Sequence, residues 1–131
     1  MITKKKRRIL AVDDNSISLA SIEHELKAEY EIIAVNSGAR AIKYLQRERP
    51  DLILLDIQMA GKDGLETLRE IRSMEKCGGI PVIMLTSKQE RDTIVASSKL
   101  GVDDYVLKPF NAQDLRERIS RALKNAGIGW F

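Results

Sequence analysis

Five short apolar runs, each followed by an amphipathic segment, dominate this chain and restrict its fold more than any other feature. The runs are ILAV (9–12), YEIIAV (30–35), LILL (52–55), IPVIML (80–85) and DYVL (104–107). Between them, apolar residues recur at helical spacing: Leu19, Ile22 and Leu26; Ala41, Ile42 and Leu45; Leu65, Leu68, Ile71 and Met74; Ile94, Val95 and Leu100; Leu115, Ile119 and Leu123. Continuous rather than alternating apolar strands need cover on both faces, which amphipathic crossover helices supply to a parallel sheet.

Punctuation agrees with this reading. Asn15 or Ser16 can cap the first helix, Pro50 ends the second, and the CGG of 77–79 stops the third. Gly101 stops the fourth, and Pro81 sits near the start of its strand, where a missing N–H is tolerated. The 131 residues suit one domain that buries roughly two thirds of its unfolded surface. A closed barrel of parallel strands needs about 250. Right-handed crossovers and this length favour an α/β, doubly wound (βα)₅ fold with helices on both faces. In its flavodoxin-like form the five-stranded parallel sheet has the order 2-1-3-4-5. The expected organisation is a basic N-terminal arm (1–6), a domain over 7–124 and a tail (125–131) that can start a linker to an output domain. In that tail Trp130 and Phe131 are two of only six aromatics, expected either to pack back on the domain or to lie on a segment leading into a longer protein.

Composition excludes several function classes. The net charge of +3 is concentrated in KKKRR (4–8); without it, 17 basic residues face 19 acidic ones, a net of −2. A solvated arm leading into the first strand accounts for the run. No second basic cluster with interleaved aromatics accompanies it and a helix-turn-helix does not fit, so no direct nucleic-acid binding is expected. No apolar run nears the ~18 residues of a membrane span, and no apolar segment follows the basic residues as a secretory signal requires. The single cysteine, Cys77, reads as a plain loop residue and suits a reducing compartment, so the cytoplasm is expected. His24 reads as an exposed helical residue. No Walker A loop, GxGxxG or protein-kinase signature occurs.

The residues that end the strands carry the chemistry. The first strand runs into Asp13-Asp14, the second into Asn36-Ser37, the third into Asp56, the fourth into Thr86-Ser87 and the fifth into Lys108. In the 2-1-3-4-5 order the first, third, fourth and fifth are contiguous, and ligands bind where the order reverses. Three carboxylates, a hydroxyl and an ammonium then meet in one crevice. Three like charges repel and raise one another's pKa values, and a hard cation relieves this. An all-oxygen donor set without Cys or His selects Mg²⁺, with Mn²⁺ as a substitute. Such a pocket suits a phosphoryl group. Asp56 is the expected nucleophile because its strand is central, while the consecutive Asp13 and Asp14 form a clamp for the metal. Lys108 and the metal neutralise the phosphoryl oxygens, and the Thr86 hydroxyl donates to one. Asp63 and Gly64 are expected to serve the turn into the third helix.

With these residues in place, the chain resembles the receiver domain of two-component response regulators, CheY-like, over about residues 7 to 124. AVDDN (11–15), LLDIQMAGKDG (54–64), VIMLTS (82–87) and GVDDYVLKPF (101–110) match that family's motifs in order and spacing. The resemblance implies that Asp56 is the phosphoacceptor. Asp13 and Asp14 would hold Mg²⁺, joined by the backbone carbonyl of Gln58, and Thr86 and Lys108 would bind phosphoryl oxygens. It implies that Thr86 and Tyr105 shift together on phosphorylation, coupling the site to the face of the fourth helix, fifth strand and fifth helix. It implies a cis Lys108-Pro109 bond, and that Gln58 and Lys88 tune the acyl phosphate's lifetime. Ala60 departs from the pattern, which usually has proline there.

The expected function is therefore a Mg²⁺-dependent switch that takes a phosphoryl group from a sensor histidine kinase or histidine phosphotransfer protein. It would be no enzyme toward an external metabolite, only self-phosphorylating and autodephosphorylating. Output would pass to an unknown partner or output domain, or through a homodimer of the 4-5-5 face. Two rivals stand beside it. An aspartyl-nucleophile phosphatase or phosphotransferase tends to place a second carboxylate two residues after the nucleophile, where this chain has Gln58. A pseudo-receiver acting only in protein interaction would lack a site residue, and none is missing.

Overall fold

The computed structural model describes residues 6–59, 61, 63–87 and 91–127. Lys4, Lys5, Ala60, Lys88, Trp130 and Phe131, named above, lie outside these residues. Strands β1 (Arg7–Val12), β2 (Tyr30–Val35), β3 (Leu52–Asp56), β4 (Val82–Thr86) and β5 (Asp104–Leu107) alternate with helices α1 (Ser16–Leu26), α2 (Gly38–Leu45), α3 (Gly64–Ser73), α4 (Arg91–Ser98) and α5 (Ala112–Asn125). All strand pairs are parallel, in the order β2-β1-β3-β4-β5. This is the expected doubly wound sheet.

Strand side chains alternate between two cores. Ile9, Ala11, Leu52, Leu54, Ile83, Leu85 and Val106 face α1 and α5, meeting Ile22, Leu26, Leu115 and Ile119. Leu10, Val12, Ile53, Leu55, Val82 and Met84 face the other way, onto Ala41 and Leu45 of α2 and Leu68 and Ile71 of α3. Every residue of β3 and β4 is buried, which explains why those runs are apolar without a break. Truncating a central leucine such as Leu54 to alanine removes about 2–5 kcal/mol.

Two aspartates align the strand starts in the same way. Asp51 donates its N–H to the Arg8 carbonyl at 2.9 Å and accepts from the Arg8 N–H at 2.8 Å. Asp103 repeats the pattern with Val82, at 2.9 and 2.8 Å. Arg8, placed in β1 rather than in a loose arm, also pairs with Glu31 at 3.1 Å and Glu48 at 3.3 Å.

Several local expectations change. Asn15, not Ser16, caps α1. Helix α3 ends at Ser73 with Met74 as its cap, ahead of the CGG turn. Leu100 lies beyond the end of α4, and Val95 is 55% exposed rather than packed. Cys77 does sit in a turn but is wholly buried, its Sγ 3.9 Å from the Leu45 carbonyl, and burial raises its thiol pKa. It belongs to the core cluster that also holds Ala41 and Leu45 of α2. His24 is exposed, as expected. Among the described residues, no helix is long and apolar enough to cross a membrane.

Candidate functional site

The C-terminal ends of β1, β3, β4 and β5 open into one crevice, and the chain is locally built to hold their side chains there. The sheet continues past β1, because the Asp13 N–H donates to the Val35 carbonyl at 3.2 Å. Asp13 is fully buried, and its Oδ1 accepts the Asn15 N–H at 3.0 Å. Asn15 in turn accepts from the N–H groups of Ile17 and Ser18, at 2.9 and 3.0 Å, as the N-cap of α1. The Asp-Asp-Asn turn thus fixes the Asp13 carboxylate and leaves Asp14 exposed at the crevice mouth.

Asp56 closes β3 opposite Leu85, and the ladder continues through the Ile57 N–H to the Leu85 carbonyl at 3.0 Å. The start of α3 packs directly on this strand end. Asp63 caps α3 by accepting the Glu66 N–H at 2.8 Å, and the Gly64 N–H reaches the Ile57 carbonyl at 2.9 Å. A Cβ on Gly64 would lie 2.2 Å from the Asp56 carbonyl oxygen and 2.6 Å from the Ile57 Cα. Only glycine permits this approach. The expected turn role of Asp63 and Gly64 is therefore also a constraint on the backbone of Asp56.

On the other side, the Lys108 N–H donates to the Thr86 carbonyl at 2.7 Å, carrying β5 to the same level as β4. The Lys108-Pro109 bond is cis, as the resemblance implies. Lys108 Nζ crosses the sheet end to Asp13 Oδ2 at 2.7 Å and stands 3.5 Å from Asp56 Oδ2. The Thr86 hydroxyl is buried and donates to the Ser87 carbonyl at 3.1 Å. Asp14, Asp56, Gln58, Thr86 and Lys108 line a cleft of about 200 Å³.

Charge in this cleft is unbalanced. Oxygen atoms of Asp13, Asp14 and Asp56 lie within 4.8 Å of one another. Burial, and then the neighbouring Asp13 carboxylate, push the Asp56 carboxyl up to about 7, with Lys108 opposing the shift. Among the described residues one ammonium faces three carboxylates, so a divalent cation would balance what remains. The donors are oxygen throughout and one edge is open to water, which fits Mg²⁺. These residues therefore satisfy the chemistry of the expected metal.

All the residues expected at the crevice come together there. Tyr105 stands apart, on the face that packs α4, with its hydroxyl 2.9 Å from Ser97 Oγ and donating to the Ile94 carbonyl at 3.2 Å. Sequence reasoning missed three contributors. Asn15 was legible as a cap but not as the group that orients Asp13, although the Asp-x-Asn spacing is a signal for it. The contact of Gly64 with Asp56 carries no local signal beyond the Asp-Gly pair, and nothing in the sequence marks Ser97.

Comparison with known proteins agrees with this geometry. The family model for the response regulator receiver domain matches residues 9–120. Among similar solved structures is the signal receiver domain of a signal transduction histidine kinase from Syntrophus aciditrophicus. It is 31% identical, with a TM-score of 0.83, covering 91% of each chain. The chemotaxis response regulator CheY4 of Vibrio cholerae is 27% identical with a TM-score of 0.84, over 90% of this chain and 99% of its own. NtrX from Brucella abortus is 28% identical with a TM-score of 0.86, over 95% of this chain but 28% of its own.

Proposed function

The chain belongs to the response regulator receiver domain family, and from that membership and the charge in its crevice we propose a Mg²⁺-dependent phosphoryl-accepting switch with Asp56 as acceptor. The observation that carries this is the buried Asp56 carboxylate at the end of the central strand, beside two further carboxylates and 3.5 Å from the Lys108 ammonium. A nucleophilic carboxylate needs positive charge around the phosphoryl group it attacks.

The donor is a phosphohistidine on a sensor histidine kinase or histidine phosphotransfer protein. An Asp56 carboxylate oxygen attacks phosphorus, the P–N bond breaks, and its electron pair returns to the imidazole nitrogen. Lys108 and the Thr86 hydroxyl bind the phosphoryl oxygens. Asp13, Asp14, Asp56 and the Gln58 backbone carbonyl hold Mg²⁺, which when bound neutralises charge on the transferred group and on the carboxylates. Water later attacks phosphorus, breaks the bond to Asp56 and releases inorganic phosphate, so the domain turns over no external metabolite.

The readout begins at Thr86. Its hydroxyl, drawn toward the phosphoryl group, moves with Tyr105, altering the face of α4, β5 and α5 where Val95 and Leu107 are exposed at 55% and 46%. That face would serve an output partner, an output domain or a second copy, in the cytoplasm. Intact-mass measurement after incubation with Mg²⁺ and acetyl phosphate tests the proposal. A gain of one phosphoryl group, about 80 Da, lost in Asp56→Asn and without Mg²⁺, supports it. Failure of both acetyl phosphate and the beryllofluoride mimic to bind overturns it.

A further inference from the structure

A buried hydroxyl lies where helix α4 meets β5. Ser97 is completely buried, and its Oγ donates to the Ile94 carbonyl at 2.9 Å. Tyr105 Oη lies 2.9 Å from that Oγ and 3.2 Å from that carbonyl. Each hydroxyl has one proton to give. With the Ser97 proton on Ile94, the Tyr105 proton falls to Ser97 Oγ, shared with the carbonyl.

We propose that Ser97 is a positioning residue of the switch: its hydroxyl latches Tyr105 against α4, and that bond must break before Tyr105 follows Thr86. The proposal rests on the phosphoacceptor reading above. Met84 pairs with Tyr105 in the register, and Thr86 with Leu107. Met84, Thr86 and Tyr105 therefore share the α4 face, with Thr86 the diagonal neighbour of Tyr105. When Thr86 moves toward Asp56 it frees space on that face. The tyrosine hydroxyl is the far end of a long lever, so rotating the ring about χ1 sweeps it by several ångströms, a displacement that a 2.9 Å contact does not survive.

A serine serving only its helix is satisfied by the Ile94 carbonyl. Its second contact is with the side chain that stands between α4 and Thr86. A neutral hydrogen bond of ordinary net strength shifts a two-state equilibrium by about two- to tenfold. The latch therefore sets how strongly the phosphoryl group must pull.

The test labels the full chain with 3-fluorotyrosine, giving one ¹⁹F signal for each of its three tyrosines. Tyr105→Phe identifies the Tyr105 signal by its loss. Two quantities are read: the Tyr105 signal without any phosphoryl mimic, and half-saturation by beryllofluoride in excess Mg²⁺. The latch predicts that Ser97→Ala shifts the unliganded Tyr105 signal and lowers half-saturation by about two- to tenfold. In a Tyr105→Phe background Ser97→Ala should change half-saturation no further, because no hydroxyl remains to be held. Unchanged half-saturation in Ser97→Ala, an unmoved Tyr105 signal, or an equal change in the Tyr105→Phe background each overturns the latch. If the wild type itself fails to bind beryllofluoride, the phosphoacceptor reading fails and the latch falls with it. Ser97→Cys, which keeps the volume with a weak donor, answers the same questions should Ser97→Ala not fold.

Discussion

Lys108 Nζ lies 2.7 Å from Asp13 Oδ2, although the two residues are 95 positions apart. Asp13 is fully buried and the lysine side chain is 24% exposed, so the ammonium reaches in from the crevice rim. It stands nearer Asp13 than Asp56, which it meets at 3.5 Å. Without metal, Lys108 thus chiefly balances the buried Asp13, and Asp56 keeps a raised pKa. On the proposed reading, the charge missing at Asp56 is the charge that Mg²⁺ would bring.

Replacing Lys108 by methionine leaves Asp13 buried without its cation. Breaking one side of a buried pair costs about 3–5 kcal/mol. Urea unfolding at pH 7.5 without Mg²⁺ should show a loss of that order. An unchanged midpoint would mean that the pair carries little.

The raised pKa of Asp56 sets a pH dependence with a definite sign. Unfolded, the carboxyl titrates near 3.8; folded and without metal, near 7. The folded state thus binds the extra proton, and this contribution to stability is present below pH 3.8 and lost as pH rises through about 7. Subtracting the Asp56→Asn stability curve isolates it from the other titrating groups. The difference should favour Asp56→Asn increasingly from pH 4 to above pH 7, then level off. Mg²⁺ must displace that proton, so its affinity should fall by about tenfold per pH unit below 7.

Asp13 and Asp14 should separate structure from metal binding. Asp14 is exposed, so Asp14→Asn should change metal-free stability by less than about 1 kcal/mol while weakening Mg²⁺ binding. In the wild type, Mg²⁺ at a hundred times its dissociation constant should add about 2.7 kcal/mol, and thermal shift should show that gain shrinking in Asp14→Asn. Equal Mg²⁺ stabilisation of both proteins would remove Asp14 from the metal site.

Gly64→Ala places a Cβ 2.2 Å from the carbonyl oxygen of Asp56, which forces the start of α3 away from the end of β3. The cost should be at least the 1–3 kcal/mol of an overpacked core, and phosphorylation by acetyl phosphate should fall with it. Calorimetry and intact mass on the same sample would show both losses.

How much was legible follows the range of each interaction. The βαβ alternation and the strand-end residues are local properties, so the sheet order, the two helical layers and the crevice residues could all be inferred. What escaped depends on distant backbone. Arg72 shows this: on α3, its guanidinium donates to the carbonyls of Gly78, Ile80, Leu100 and Gly101, joining the two loops that lead into β4 and β5. Burial lowers its pKa, and no periodicity signals such a role. Val95 was assigned to an apolar face because its spacing fits, yet α4 turns that residue outward, and Cys77 was buried by the packing of α2.

Arg72→Met should therefore destabilise the fold by about 2–4 kcal/mol, since four carbonyls lose a charged donor, while Asp56 remains phosphorylatable. Hydrogen exchange at residues 99–103 should rise. Loss of phosphorylation in a folded Arg72→Met protein would tie this clasp to the crevice.

The central claim is that Asp56 itself forms the acyl phosphate. Borohydride reduces an acyl phosphate to the alcohol, so treating the acetyl-phosphate-loaded protein and mapping its peptides tests the claim most directly. The prediction is homoserine at position 56, dependent on Mg²⁺. Aspartate unchanged at 56 with homoserine at 13 or 14, in protein that has gained a phosphoryl group, would contradict it.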